Sequence, residues 1–250
     1  MTRRVLSDAH WAIVEPFCLG TSKHPGQTGS DPRLFMEAVL WIVRTGAQWR
    51  ELPEEFGKWN SVFKRFRRWV KSDAFYSMFR ALASDADFEY AMIDGSIVKV
   101  HRSGQGAKGG LLCQAIGRSR GGITTKILAL TDALGNLIDF RLMPGQAHDL
   151  RAVPDLIDGL SADHMLADRA FDADWLRAEL AKNGITPVIP PKSNRRFPAT
   201  FDRETYKWRH LIENYFGKLK ENRGIAMRSC KTDQSFAAFI SLAATLIQIR

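Results

Sequence analysis

Apolar residues along the first 85 or so positions recur at spacings of three and four, the period of helices with one buried face. Ser7 or Asp8 can cap a helix carrying Trp11, Val14 and Phe17, after which Gly20 to Ser30 has turn residues and no periodicity. A second helix opens on Asp31 as N-cap with Pro32 in the first position, and Phe35, Val39, Ile42 and Val43 give its core face up to Gly46. Residues 47–58, with Trp49, Pro53 and Gly57, read as an irregular connection. A third helix, from Asn60 or Ser61 to Lys71, buries Val62, Phe63, Phe66, Trp69 and Val70 and turns Lys64, Arg65, Arg67 and Arg68 outward. A fourth runs from Asp73 to about Ser84.

At Asp87 the period shortens to that of strands. Glu89–Val100, Thr124–Thr131, Leu137–Leu142, Asp163–Ala167 and Thr186–Ile189 are short and apolar, with Asp132–Asn136 a good hairpin connection between the second and third. Helices are predicted at about 149–158, from Asp172 to Asn183 with Gly184 as its stop, over Tyr206–Lys220, and over Gln234–Gln248, which is apolar nearly all round and should bury against the sheet. The order β-β-β-α-β-α-β-α describes an antiparallel meander followed by a βαβ unit, an α/β fold behind a small all-α region.

Charge changes this picture in one place. The 250 residues carry a formal net charge of +9, but residues 1–90 hold 13 Lys and Arg against 11 Asp and Glu, residues 91–191 hold 11 against 11, and residues 192–250 hold 12 against 5. The excess gathers in the last quarter and suggests an anionic partner there. Overall, 45% hydrophobic and 25% charged residues exclude a disordered chain. Cys18, Cys113 and Cys230 lie far apart, which argues against a disulfide framework and a zinc cluster, and no apolar run suits a membrane span or signal peptide, so a soluble, cytoplasmic protein is expected.

Three carboxylates stand on separate elements. Asp94 lies within the first strand, either held by backbone donors in a tight turn with Gly95 or kept beside a cation; Asp168 ends the fourth strand, at the edge where ligands sit in open α/β sheets. On the helix 206–220, at about 100° per residue, Tyr206, Arg209, Glu213 and Lys220 share a face opposite Trp208, Leu211, Ile212, Tyr215, Phe216 and Leu219. Alone, that face reads equally as a solvated helix surface with salt-bridge partners. The third N-terminal helix is either a basic recognition helix of a helix-turn-helix or a solvated basic helix. His148, before a helix, fits a structural position better than a substrate contact. The glycine-rich basic stretch 102–122, with Arg118 and Arg120, suits a loop facing phosphate; its GxGxxG spelling at Gly104–Gly109 lacks the helix that a dinucleotide site needs.

These residues carry a family resemblance. Met92-Ile-Asp94-Gly-Ser, Ala115 to Lys126, Gly145-Gln-Ala-His-Asp149 and Leu166-Ala-Asp168-Arg-Ala-Phe-Asp172 occur in order, followed by Tyr, two residues, Arg, three, Glu, six, Lys at Tyr206, Arg209, Glu213 and Lys220. With Leu6–Trp11 and Gly46–Pro53, the chain resembles the DDE transposases of the IS5 family, IS427-like group, over nearly its whole length. The resemblance implies a helix-turn-helix-like DNA-binding domain over 1–86 and an RNase H-like catalytic domain with a mixed five-stranded sheet over 87–250. It implies that Asp94, Asp168 and Glu213 hold two divalent ions, Mg2+ with Mn2+ as a substitute, for cleavage at element ends and strand transfer. Tyr206 and Arg209 are then expected at DNA phosphate near the cleaved end, Lys220 at the strand beside the three acids, and Lys64, Arg65, Arg67, Arg68, Arg118 and Arg120 at further DNA contacts. The implied partners are the terminal inverted repeats, target DNA and a second copy of the chain, with no membrane and with nucleoid association when bound. A catalytically inactive, transposase-derived DNA-binding regulator is the alternative.

Overall fold

The computed structural model describes residues 4–19, 31–83, 86–107, 110 and 114–249, so the expected loop at Gly20–Ser30, Cys113 and part of the GxGxxG stretch lie outside the described residues. The chain packs as two compact units, one formed by Met1–Leu82, Lys99–Gln114 and Lys218–Arg250 and the other by Ala83–Val98 and Ala115–Gly217. Packing therefore divides the chain differently from the expected cut between 86 and 87: the C-terminal segment joins the N-terminal helices.

In the first unit, α1 (Asp8–Val14) is capped by Ser7, whose Oγ accepts the His10 amide at 3.1 Å. Helix α2 (Pro32–Thr45) begins as its sequence requires: Asp31 Oδ1 accepts the Arg33 and Leu34 amides, and Gly46 at φ 67° closes it left-handed. Glu37 of α2 is buried but satisfied, taking the amides of Val5 and Leu6 and so fixing the segment before α1. Helices α3 (Trp59–Lys71) and α4 (Ala74–Leu82) follow. The last helix of the chain, Asp233–Gln248, packs on α4, α3 and α2 rather than on a sheet. Its buried Phe236, Phe239, Ile240, Leu242 and Leu246 lie nearly all round the helix, and several helices together cover such a surface better than one flat face.

The expected basic face of α3 is only half free. Lys64 and Arg68 are exposed, but Arg65 is 8% exposed, its guanidinium 4.4 Å from the Phe35 ring centroid, and burial lowers its pKa. Arg67 is half-buried and donates to the Ser235 hydroxyl at 2.5 Å. A helical wheel shows which residues share a face; it does not show that a guanidinium will snorkel over an aromatic neighbour and count as core.

The second unit is built on β1 (Tyr90–Val100), β2 (Gly117–Ser119), β3 (Gly122–Thr131), β4 (Leu137–Pro144), β5 (His164–Ala167) and β6 (Thr186–Val188). Strand β1 lies between β3 and β5, β6 follows β5, and β4 pairs antiparallel with β3. The hairpin between β3 and β4 is held by Asp132, whose carboxylate accepts the Leu134 and Asn136 amides, with Gly135 at φ 81°. Helices α5 (Val153–Ile157) and α6 (Asp174–Lys182) pack with these strands, and β5-α6-β6 is the expected βαβ with parallel strands. One sheet face carries the core: Ala91, Ile93, Leu128, Leu130, Met165 and Ala167 pack with Phe171, Leu176 and Leu180. All five expected strands form; the three-residue β2 and the two-residue β7 (Met227–Arg228), which pairs with the end of β1 inside the first unit, are too short to leave a periodic signal.

Candidate active site

Strands β1 and β5 run parallel with Ile93 opposite Ala167, so Asp94 and Asp168, each one residue further on, leave neighbouring strands side by side. Ala91 and Ile93 face the core cluster, and the alternation of a strand sends Asp94 to the opposite face with Met92. Asp168 ends its strand and caps the turn Arg169–Phe171, its Oδ1 accepting the Ala170 amide at 2.7 Å. Asp94 Oδ1 accepts the Gly95 amide at 2.8 Å, yet no turn forms there: β1 continues for six residues beyond Asp94. The Asp-Gly pair is therefore not a hairpin. Gly95 instead leaves room for a neighbour, since a Cβ at that position would meet Asp149 Oδ1 at 3.1 Å and the Lys126 side chain at 3.5 Å.

The helix expected over 206–220 is broken in two. Helix α7 (Arg203–Tyr206), capped by Asp202, passes through a 3-10 turn at Lys207–Arg209 into α8 (His210–Lys220). Tighter 3-10 winding eclipses positions three apart, and the Arg209 guanidinium lies 5.9 Å from the Tyr206 ring centroid. The same winding turns Trp208 outward: expected on the apolar back, it is 50% exposed, whereas Ile212, Tyr215, Phe216 and Leu219 are buried as expected. Glu213 sits in the first turn of α8, one turn beyond Arg209.

Arg209 links these elements. Its Nη1 donates to Asp94 Oδ2 at 3.1 Å and its Nη2 to Glu213 Oε1. Burial pushes the Asp94 carboxyl above its ordinary pKa; the Gly95 amide and Arg209 oppose the rise, and the Asp168 charge adds to it. Burial works the other way on Arg209, but Asp94, Tyr206, Glu213 and Asp168 outweigh it and hold the guanidinium firmly charged. Three acids thus act on one cation. Carboxylates of this kind are the hard oxygen donors that divalent ions prefer. Among the described residues, however, no group of three His, Cys, Asp or Glu converges closely enough to hold a metal ion, because Arg209 stands between Asp94 and Glu213.

Comparison with known families decides what this arrangement belongs to. Residues 89–249 match the family profile "Transposase DDE domain", and residues 6–79 match "Putative transposase of IS4/5 family". The chain belongs to the IS4/5-type DDE transposases. It is 40% identical over 130 residues to the "Putative transposase for insertion sequence element IS6501" of Brucella ovis, covering 51% of this transposase and all of that protein. It is 37% identical over 113 residues to protein y4sN of Sinorhizobium fredii, covering 44% of this chain and 90% of that one. Its fold is similar to that of piggyBac transposase in a synaptic complex with hairpin DNA, with a TM-score of 0.52 at 10% identity over 97% of this chain and 72% of that one. DDE transposases as a class work with divalent metal ions.

Other expected site residues of this transposase lie elsewhere. Lys220 is the last residue of α8 and half-buried, and burial lowers its pKa. Arg118 and Arg120 are exposed at the β2–β3 hairpin. His148 caps the turn Asp149–Arg151 through Nδ1, the structural position its sequence context suggested. Sequence reasoning passed over Lys126 and Asp149 as chemistry, although both fall inside quoted motifs. Lys126 is 9% exposed, donates to the Ala147 carbonyl at 2.8 Å and pairs with Asp149, which places an ion pair against Gly95, next to Asp94. No spacing rule joins a mid-strand lysine to an aspartate 23 residues later; only the strand pairing brings them together. Among the described residues, no helix is long and apolar enough to cross a membrane.

Proposed function

We propose that this transposase hydrolyses a phosphodiester at each end of its element and transfers the freed 3′-hydroxyl to target DNA, using Asp94, Asp168 and Glu213 as metal ligands for two Mg2+ ions, with Mn2+ as a substitute. The observation that carries the reading is the in-register placement of Asp94 and Asp168, with Arg209 joining Asp94 to Glu213. Divalent ions held by Asp94, Asp168 and Glu213 would supply activation of the attacking oxygen and stabilisation of the leaving one. The chain's own part is positional. Asp94 stands within β1 and Asp168 directly after the neighbouring β5, and Glu213 enters on a separate helix. Arg209, which now balances two carboxylates, exchanges them for a DNA phosphate, which a planar guanidinium can grip through two donors. Tyr206 keeps that guanidinium in place by stacking, and Lys220 adds a point charge to the strand. The excess of 12 basic over 5 acidic residues in 192–250 supplies the sequence-independent, salt-sensitive part of affinity. Two copies of the chain, one at each element end, form the active assembly.

The test is nicking of duplexes carrying the element's terminal inverted repeats by purified protein with Mg2+. Wild-type protein should release a 3′-hydroxyl at the repeat boundary and Asp94→Asn should not; nicking by Asp94→Asn at the wild-type rate would refute the assignment. Protein that binds the repeats yet never nicks them with Mg2+ or Mn2+ would instead be a DNA-binding regulator.

A further inference from the structure

The first unit contains a cleft of about 630 Å3 with two chemically distinct sides. Its inner side is aromatic. Trp49 stacks at a tilt on Phe63 (5.3 Å between centroids) and on Phe66 (5.0 Å), and Phe66 meets Phe239 at 5.5 Å. Phe66 and Phe239 are buried, whereas Trp49 and Phe63 are only half-buried and leave ring surface open to the cleft. The outer side is cationic: Arg67, Arg223 and Lys231 line it, and among the described residues no Asp or Glu does. Arg67 donates through Nη1 to the hydroxyls of Thr232 and Ser235, and none of the three cations has a carboxylate within salt-bridge distance among the described residues. The second unit differs, because there Arg177, Arg195 and Arg209 all sit on carboxylates.

Open aromatic ring surface beside cations that have no carboxylate partner complements a ligand that is anionic at one end and a planar π-system at the other. An apolar ligand would leave the cations unanswered, and an inorganic anion would leave the rings wet. The volume suits one small ligand and not the cross-section of a duplex. We infer that the cleft takes a single unpaired nucleotide of bound DNA, with its base against Trp49 and Phe63 and its phosphate on Arg223 and Lys231. The inference rests on the DNA-binding part of the function proposed above and adds a site that none of the three carboxylates lines.

The test uses the full chain and a short duplex of arbitrary sequence bearing one unpaired 2-aminopurine nucleotide, compared with the same duplex fully paired. The unpaired probe should bind at least about fivefold more tightly, the smallest gain expected from one base stacked on an aromatic ring. Its fluorescence should be quenched on binding. Trp49→Leu should abolish the quench and the preference while leaving affinity for the paired duplex unchanged. Because Trp49 also packs on Phe66, a second arm uses Arg223→Gln with Lys231→Gln on the exposed rim, checked for a wild-type melting temperature; it should weaken the unpaired probe more than the paired one. Equal binding of the two probes, binding of neither, or a quench that survives in Trp49→Leu overturns the inference. The readout needs neither nicking nor metal. Protein that nicks element ends but shows no preference refutes the cleft alone, and protein that shows the preference but never nicks refutes the catalytic reading alone.

Discussion

Two carboxylate–arginine clusters in the second unit look alike in sequence and behave oppositely. Around Arg209, the acids Asp94, Glu213 and Asp168 act on one guanidinium, and burial leaves Asp94 above its ordinary pKa. Around Asp172, two arginines act on one carboxylate: Arg177 Nε reaches Oδ1 at 2.8 Å, Arg195 Nε reaches Oδ2 at 2.6 Å, and the Lys192 amide adds a third bond at 2.8 Å. Burial of Asp172 opposes ionisation, but the Lys192 amide, Arg195 and Arg177 prevail and hold the pKa at about 2. A carboxylate with its acceptor positions filled is finished structure. One whose burial opposes its charge, in a cluster with surplus negative charge, is the arrangement on which the proposed metal site rests.

The largest effect expected from this contrast separates activity from stability. Asp94→Asn and Glu213→Gln should each lower metal-dependent nicking by at least about 10³-fold while leaving affinity for the repeats intact. Asp94→Asn should also keep or raise the melting temperature, since it removes a charge whose burial the fold resists. A marked fall in melting temperature for Asp94→Asn would place that cluster with Asp172, among structural clamps.

Asp172→Asn should do the reverse. Loss of the charge leaves Arg177 and Arg195 without their counterion and frees the segment that begins at Lys192. A cost of about 3 kcal/mol is expected, at the low end for breaking a buried pair because both arginines keep some solvent, and a fall of roughly 5–10 °C in melting temperature. Calorimetry of the folded variant checks this, and its remaining nicking should scale with the fraction folded.

Much of this was legible in the sequence, for identifiable reasons. Strand and helix positions follow from local periodicity, and the caps at Ser7 and Asp31 from side chains that bond amides two or three residues away. The three acids were visible because a fixed order of motifs pointed to them. What failed to show was partner choice. Arg195 was hidden in the general basic excess of residues 192–250, and Arg65 was one of four basic residues on an apparently free face; each has found a specific neighbour, 23 residues away for Arg195. The break at Lys207–Arg209 was invisible for a different reason: nothing in a Lys-Trp-Arg sequence opposes an α-helix, and the tighter turn accompanies the Arg209 contacts.

Arg209→Ala probes the contrast from the cation's side, with a smaller effect. End binding should weaken about tenfold, the worth of one charge-assisted contact, and the slope of log affinity against log salt should fall by about one. The Asp94 carboxyl should titrate still higher, since Arg209 opposes its rise. Carbon-detected NMR of the side chain measures that shift, and an unchanged or lower value would mean that the two groups do not interact in solution.

The smallest effect is in acid. The Asp172 pKa is depressed in the folded chain, so its ion pairs contribute stability at every pH above the ordinary carboxylate value of 3.8, and this contribution is lost as pH falls from there through about 2. Asp94, with its pKa raised, has the opposite sign: protonation relieves a cost as pH falls into the carboxylate range. Wild-type protein should therefore lose melting temperature steeply below about pH 4, Asp172→Asn should start lower and lose less, and Asp94→Asn should lose as much as wild type or more. Parallel curves for wild type and Asp172→Asn between pH 4 and 2 would show that Asp172 does not carry the acid sensitivity that its contacts require.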